Sequence, residues 1–174
     1  MYFVTICTAN RELLFGEIVE GEMVVNQVGQ IVEDEWRKTP TLRPNVELDE
    51  YVVMPNHFHG IVAIVEGRGT ARRAPTPEQF GSPVSGSLPT IIRSFKSAVT
   101  THVNILRQTP SAPVWQRNYH EHVIRDENDL YRIREYIQTN PLRWESDREN
   151  PKRRGEDEFD KWLEGTTQQE KNHP

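Results

Sequence analysis

The chain of 174 residues is about one domain long, against a usual domain size of roughly 150 residues, and its 21 basic and 26 acidic side chains leave a net charge of −5. With 35% hydrophobic residues it can fill one modest core but not two, and its single cysteine, Cys7, excludes an internal disulfide or a multi-cysteine zinc finger. No apolar run approaches the roughly 18 residues of a membrane span, and the start has neither the basic nor the long apolar region of a signal peptide, so a cytoplasmic protein is expected.

Tyr2 to Thr8 is rich in β-formers and is ended by the polar cluster Thr8-Ala9-Asn10-Arg11, which predicts a strand. From Gly16 to Met23 the pattern is broken, as in a small ribbon or loop. After Asn26, Val28, Ile31, Val32, Glu35 and Trp36 fall at helical spacing, and Pro40 closes the expected helix. Residues 46–54 and 57–65 read as two antiparallel strands joined by the tight turn Pro55-Asn56. Gly67 to Gly86 is rich in Gly, Pro, Ser, Thr and Arg without an apolar period, and reads as one long loop; loops of that length are usually functional or disordered.

Beyond the loop Ser87 can cap a helix with Pro89 in its first turn. Leu88, Ile91, Ile92, Phe95, Val99, Val103 and Leu106 trace its apolar stripe, and Arg93, Lys96, Thr100, Asn104 and Arg107 fall on the other side. The charge is unevenly spread here. Residues 1–66 carry 4 basic and 11 acidic groups, residues 67–120 carry 7 and 1, and residues 121–174 carry 10 and 14. A basic middle in an acidic chain points to a polyanionic partner, although an Arg-rich solvated loop has the same composition.

Residues 114–125 predict a further strand, with alternation in its second half. Asp126 caps the next helix with Asp129 three residues on; Leu130, Ile133 and Ile137 form its buried stripe, and Pro141 follows its last turn. After Trp144 the chain is charge-dense, with a short helix expected around Glu158 to Leu163 and no legible role. The domain is therefore drawn over residues 1–144 and a charged tail over 145–174. The element order βαββαβα, with one hairpin in the middle, implies an α+β fold: a ferredoxin-like antiparallel sheet covered on one face by helices.

His57 and His59 stand two apart on a predicted strand, so both imidazoles share a face while Phe58 points to the other. Two neutral imidazoles make half of a metal site, though such a pair also arises structurally. Tyr136 and Asn140, four apart on a helix, differ by about 40° and stack as neighbours at the rim of the buried face. By position alone they are a Tyr completing the core and an Asn ending the helix. Together, two nitrogens and an amide oxygen leave open positions on a divalent ion where phosphate oxygens can bind. A Tyr136 phenolate could then attack phosphorus in line, giving a covalent 5′-phosphotyrosine. A second pair, His120 and His122, could complete a four-histidine zinc site with His57 and His59, but a role in packing or beside a nucleic acid is favoured. Cys7 and Trp115 are expected in the core, and Tyr119 is a candidate to stack on a base.

The segments YFVTICT, VVMPNHFHGIV, SFKSAV, VWQRNYHEHVIR and YIQTNP resemble the REP-associated tyrosine transposases, in the HUH superfamily of single-tyrosine, single-strand DNA transposases. The likeness runs from about Tyr2 to Trp144 and rests most on MPNHFH with YIQTNP. It implies that His57-Phe58-His59 is the HUH motif, Tyr136 the nucleophile and Asn140 the third metal ligand. It also implies a ferredoxin-like fold of HUH-nuclease type, Mg²⁺ or Mn²⁺ as cofactor, and single-stranded or stem-loop DNA as partner in a prokaryotic, nucleoid-associated setting. Arg93, Lys96, Arg107 and Arg117 are the candidates for phosphate contacts, and a homodimer is a further expectation. Family members often carry more residues before the first strand, whereas here Met1 abuts it. The expected activity is metal-dependent cleavage and rejoining of DNA; the alternatives are an HUH endonuclease of replication or conjugation and a non-catalytic ferredoxin-like nucleic-acid-binding module.

Overall fold

In the computed structural model, which describes residues 1–65 and 86–171, the first expected strand forms as β1 (Tyr2–Cys7) and is buried from Phe3 onward. Burial on both faces suits a central strand. β1 pairs antiparallel with β5 (His57–Ile64) on one side and with β6 (His120–Val123) on the other. β4 (Val46–Met54) pairs with β5 across the Pro55-Asn56 turn, so the sheet order is β4-β5-β1-β6. With helices crossing from β1 to β4 and from β5 to β6, this is the ferredoxin-like α+β plan implied by the element order.

The expected ribbon is a hairpin, β2 (Gly16–Val19) with β3 (Glu22–Val25). The side chain of Asn26 starts α1 (Gln27–Arg37) by accepting from the backbone N–H groups of Val28 and Gly29. Pro40 does not itself close that helix; it sits in the first turn of a short α2 (Thr39–Leu42), where a missing N–H costs nothing. α3 (Leu88–Arg107) buries the predicted stripe as far as Val103, whereas Leu106 is 44% exposed. α4 (Glu127–Thr139) is capped by Asp126, which accepts from the N–H groups of Asn128 and Asp129. Arg134 then fastens α4 to the sheet through two hydrogen bonds to Asp49, at 2.9 and 2.6 Å.

The sheet is covered on both faces rather than one. Val4, Ile6, Phe58 and Val62 pack with Trp36 of α1 and Phe95 of α3, while Phe3 and Ile61 pack with Ile133 and Ile137 of α4 and Phe159 of α5 (Glu158–Lys171). The cause is in the strands themselves, which carry bulky apolar residues on both sides and can leave neither to water. Gly60 keeps the first face tight, since a Cβ there would lie 2.8 Å from both the Trp36 and Phe58 rings.

The strand expected over residues 114–125 is shorter. Only His120–Val123 joins the sheet, and Trp115 makes an isolated bridge to Thr8. Ahead of it the backbone is engaged differently: Lys96 donates to the carbonyls of Gln116 and Arg117 at 2.6 and 3.0 Å. The chain beyond Trp144 folds back on the α4 side, burying Asp147, Glu149, Asp157, Phe159 and Asp160, and α5 runs past the expected Leu163. The long loop expected from Gly67 lies, as far as residue 85, outside the described residues. Among the described residues no helix is long and apolar enough to cross a membrane.

Candidate active site

Strand register builds the site. Cys7 faces His57 and Thr5 faces His59 across the β1–β5 ladder, and such partners project from the same face. His57 and His59 therefore point toward α4, their rings 4.5 Å apart, while Phe58 enters the opposite core against Trp36. Both imidazoles are buried, and each is anchored through Nδ1. Asn56 donates its Nδ2 to the Glu149 carbonyl at 2.7 Å, which turns its Oδ1 to accept from His57 Nδ1–H at 2.9 Å. His59 Nδ1 lies 2.9 Å from the Thr5 hydroxyl. The Nε2 atoms of both rings, buried and without a hydrogen bond, are left for another partner.

Burial is the main cause that lowers the pKa of both histidines, and for His59 the neighbouring His57 and Arg148 lower it further. At neutral pH both are uncharged, the form in which an imidazole nitrogen ligates a metal. Cys7, on the same face, is not a thiolate: burial, and after it Glu149, push its thiol far up.

α4 brings Tyr136 and Asn140 to the same place. They lie within the buried face rather than at its rim, at 3% and 0% exposure. The Tyr136 ring stacks on Phe159 at 3.7 Å and meets the His59 ring edge-on at 5.3 Å. Its hydroxyl donates to Asp147 Oδ2 at 3.3 Å, and Asn140 Nδ2 donates to the same oxygen at 3.0 Å. That oxygen is 3.8 Å from His57 Nε2. Asn140 Oδ1, like the two Nε2 atoms, is buried with no hydrogen bond. Burial, then Asp147, Asp160 and Asp157, push the Tyr136 phenol well above its ordinary value, so its ionisation calls for a cation close by.

Among the described residues, His57, His59 and Asp147 form the group of metal-capable donors whose atoms lie within 4.8 Å of one another. Two neutral nitrogens and an amide oxygen, with the Asp147 carboxylate close by and no thiolate, suit a divalent ion that takes mixed nitrogen and oxygen ligands. A cavity of about 320 Å³ opens beside them, lined by Thr5, His59, Tyr136, Arg148 and Phe159 among others. His120 is exposed and His122 packs on Trp162, and the described residues contain no four-histidine centre.

The expected phosphate-binding residues lie elsewhere. Arg93, Lys96 and Arg117 line a groove with Trp115 and Tyr119 on the α3 side of the sheet, away from the histidine face. Arg107, the last residue of α3, is exposed and outside that lining. Trp115 is buried in the core, as expected.

Sequence reasoning missed Asn56 as an anchor and Asp147 and Glu149 altogether. Asn56 reads as a turn residue, and its bond to the Glu149 carbonyl spans 93 positions. Asp147 and Glu149 sit in a charge-dense stretch whose composition is that of a solvated surface.

No family model matches the chain. An uncharacterized protein of Haemophilus influenzae is 42% identical over 153 residues, covering 84% of this chain and 82% of that protein. The structure of the REP-associated tyrosine transposase bound to a REP hairpin is similar in fold, with a TM-score of 0.56 and 22% identity over 82% of this chain. The chain spans 66% of that protein's length. A crystal structure from Deinococcus radiodurans is more distant, at 18% identity and a TM-score of 0.48, covering 79% of this chain and 87% of that one.

Proposed function

The chain belongs to one family with the Haemophilus influenzae protein and has the fold of a REP-associated tyrosine transposase, and from that premise we propose that it cleaves and rejoins single-stranded or stem-loop DNA, as in DNA transposition, through a covalent 5′-phosphotyrosine. The observation that carries this reading is the gathering of three buried atoms without hydrogen bonds, His57 Nε2, His59 Nε2 and Asn140 Oδ1, beside the Tyr136 hydroxyl. Each such atom costs about 1–3 kcal/mol of desolvation until something occupies it, and three of them converging on one place favour a bound cation over a plain binding surface.

His57, His59 and Asn140 would hold one Mg²⁺ or Mn²⁺, which when bound supplies Lewis-acid polarisation of the scissile phosphate. The chain's own groups do the rest. Tyr136 Oη attacks phosphorus; its proton leaves along the hydrogen bond to Asp147 Oδ2. The O–P bond to the tyrosine forms as the bond to the 3′ oxygen breaks, and that oxygen takes a proton from water to leave as a 3′-hydroxyl. Phe159 covers one face of the Tyr136 ring, so the phosphate is met at the hydroxyl edge. Attack of a 3′-hydroxyl on the phosphotyrosine reverses these steps and rejoins a strand without ATP. Arg93 and Arg117, which share the groove on the α3 side, and the exposed Arg107 at the end of α3 would hold DNA backbone away from the cleaved phosphate, with Lys96 partly committed to protein carbonyls.

The test is metal-dependent cleavage of a labelled stem-loop DNA by His57→Ala and His59→Ala. Each variant should lose cleavage while still binding DNA, because each removes one nitrogen of a shared centre. Cleavage that survives both substitutions, or that proceeds equally in a chelator, would contradict the reading.

A further inference from the structure

We infer that Asp147 is a positioning residue: its carboxylate decides which end of the Asn140 amide faces the two histidines. The inference rests on the metal-centre reading and goes beyond it, to a residue outside the segments that resemble the transposases.

An amide side chain has two ends of nearly equal size, one that accepts and one that donates. Only the oxygen can ligate a cation; the NH₂ end would place hydrogens there instead. Something must therefore hold Asn140 one way round. A carboxylate can only accept, and Asp147 Oδ2 takes the Asn140 Nδ2 hydrogen at 3.0 Å, which leaves Oδ1 as the buried end without a hydrogen bond. Asp147 is itself fixed. It is 1% exposed, its Oδ1 accepts the Glu149 backbone N–H at 2.7 Å, and its Oδ2 also accepts the Tyr136 hydroxyl at 3.3 Å. With two donors already on Oδ2, this oxygen serves the centre through Asn140 rather than as one more ligand.

The arrangement makes Asp147→Asn informative. The Glu149 N–H still demands an oxygen, so the new NH₂ falls where Oδ2 was. Asn140 must then turn its oxygen toward position 147 and its NH₂ toward the histidines. The exchanged pair, N140D/D147N, undoes this, because a carboxylate at 140 has no wrong end and can accept from the new amide.

The experiment is Mn²⁺ titration of the full chain, without DNA, by calorimetry and by the Mn²⁺ EPR signal, with thermal melts to show that each variant folds. Wild-type protein should bind one Mn²⁺ and His57→Ala should abolish it. Asp147→Asn should weaken binding by about 10-fold or more, and N140D/D147N should restore it. Full affinity in Asp147→Asn, or a folded N140D/D147N that binds no better than Asp147→Asn, overturns the inference while leaving the metal centre standing. Should Asp147→Asn fail to fold, the exchanged pair is compared with wild type: a folded N140D/D147N that binds Mn²⁺ within about 10-fold of wild type supports the inference, and one that binds more weakly overturns it. Wild-type protein that binds no Mn²⁺ in a His57-dependent way overturns the metal centre and the inference with it.

Discussion

Each histidine of the site is committed at Nδ1 and open at Nε2, and burial keeps both neutral. The same burial makes folding sensitive to pH. Below their ordinary value of 6.5 the unfolded chain takes up protons that His57 and His59 resist when folded, so stability is full above pH 6.5 and falls as the pH drops. Asp160 works the other way: burial raises it from 3.8 to about 6, so between those values it favours the folded state as pH falls. The histidines thus act without that opposition from pH 6.5 down to about 6. Thermal melts should show Tm decreasing across this window, and less so in His59→Gln; a flat profile, or an unchanged slope in the variant, would contradict the burial account. Both candidate pairs, His57 with His59 and Tyr136 with Asn140, are legible in the sequence because period-two and period-four spacings survive as shared faces. Asn56 is not, since its bond to the Glu149 carbonyl spans 93 positions, and Asp147 is not, since it reaches Tyr136 and Asn140 from the irregular turns after α4, where no period marks a shared face.

At the scale of elements, α4 presents Tyr136 and Asn140, and α5 closes over them. The start of α5 near Glu158 is readable from the sequence, but its length and its packing are not, because Phe159, Trp162 and Leu163 are scattered among charges. Phe159 stacks on Tyr136 and packs edge-on to Phe3, so Phe159→Ala should cost roughly 3 kcal/mol in urea unfolding. A loss under about 1 kcal/mol, the range of surface substitutions, would mean that α5 is only loosely docked. The second covered face is hard to read for a related reason: β1 and β5 place apolar residues on both sides, Val4, Ile6 and Phe58 on one and Phe3 and Ile61 on the other, and that pattern does not say which helices lie on which side. Lys96 is a further case. Its helical position places it on the basic face, yet its ammonium holds the 116–117 backbone, so substituting it would disturb the groove and not only its charge.

For the molecule as a whole, a net charge of −5 repels a polyanion, and DNA binding requires the positive groups to be gathered. Arg93 and Arg117 share one groove on the α3 side, and among the described residues it is Lys96, in the same groove, whose ammonium is tied to backbone carbonyls. Affinity for single-stranded DNA should fall steeply with salt, and the double variant Arg93→Ala, Arg117→Ala should flatten the slope of log K against log salt by about 1.4, at about 0.7 per phosphate contact. An unchanged slope would leave that groove a solvated face. The central claim is narrower and can be put to one measurement. Incubated with Mn²⁺ and a stem-loop DNA, the protein should become covalently attached to DNA, and after digestion with trypsin and nuclease the phosphonucleotide mass should ride on the peptide Glu135–Arg143, whose only tyrosine is Tyr136. Tyr136→Phe should form no adduct while binding the same DNA. An adduct on any other peptide, or an equal yield in Tyr136→Phe, would contradict the account.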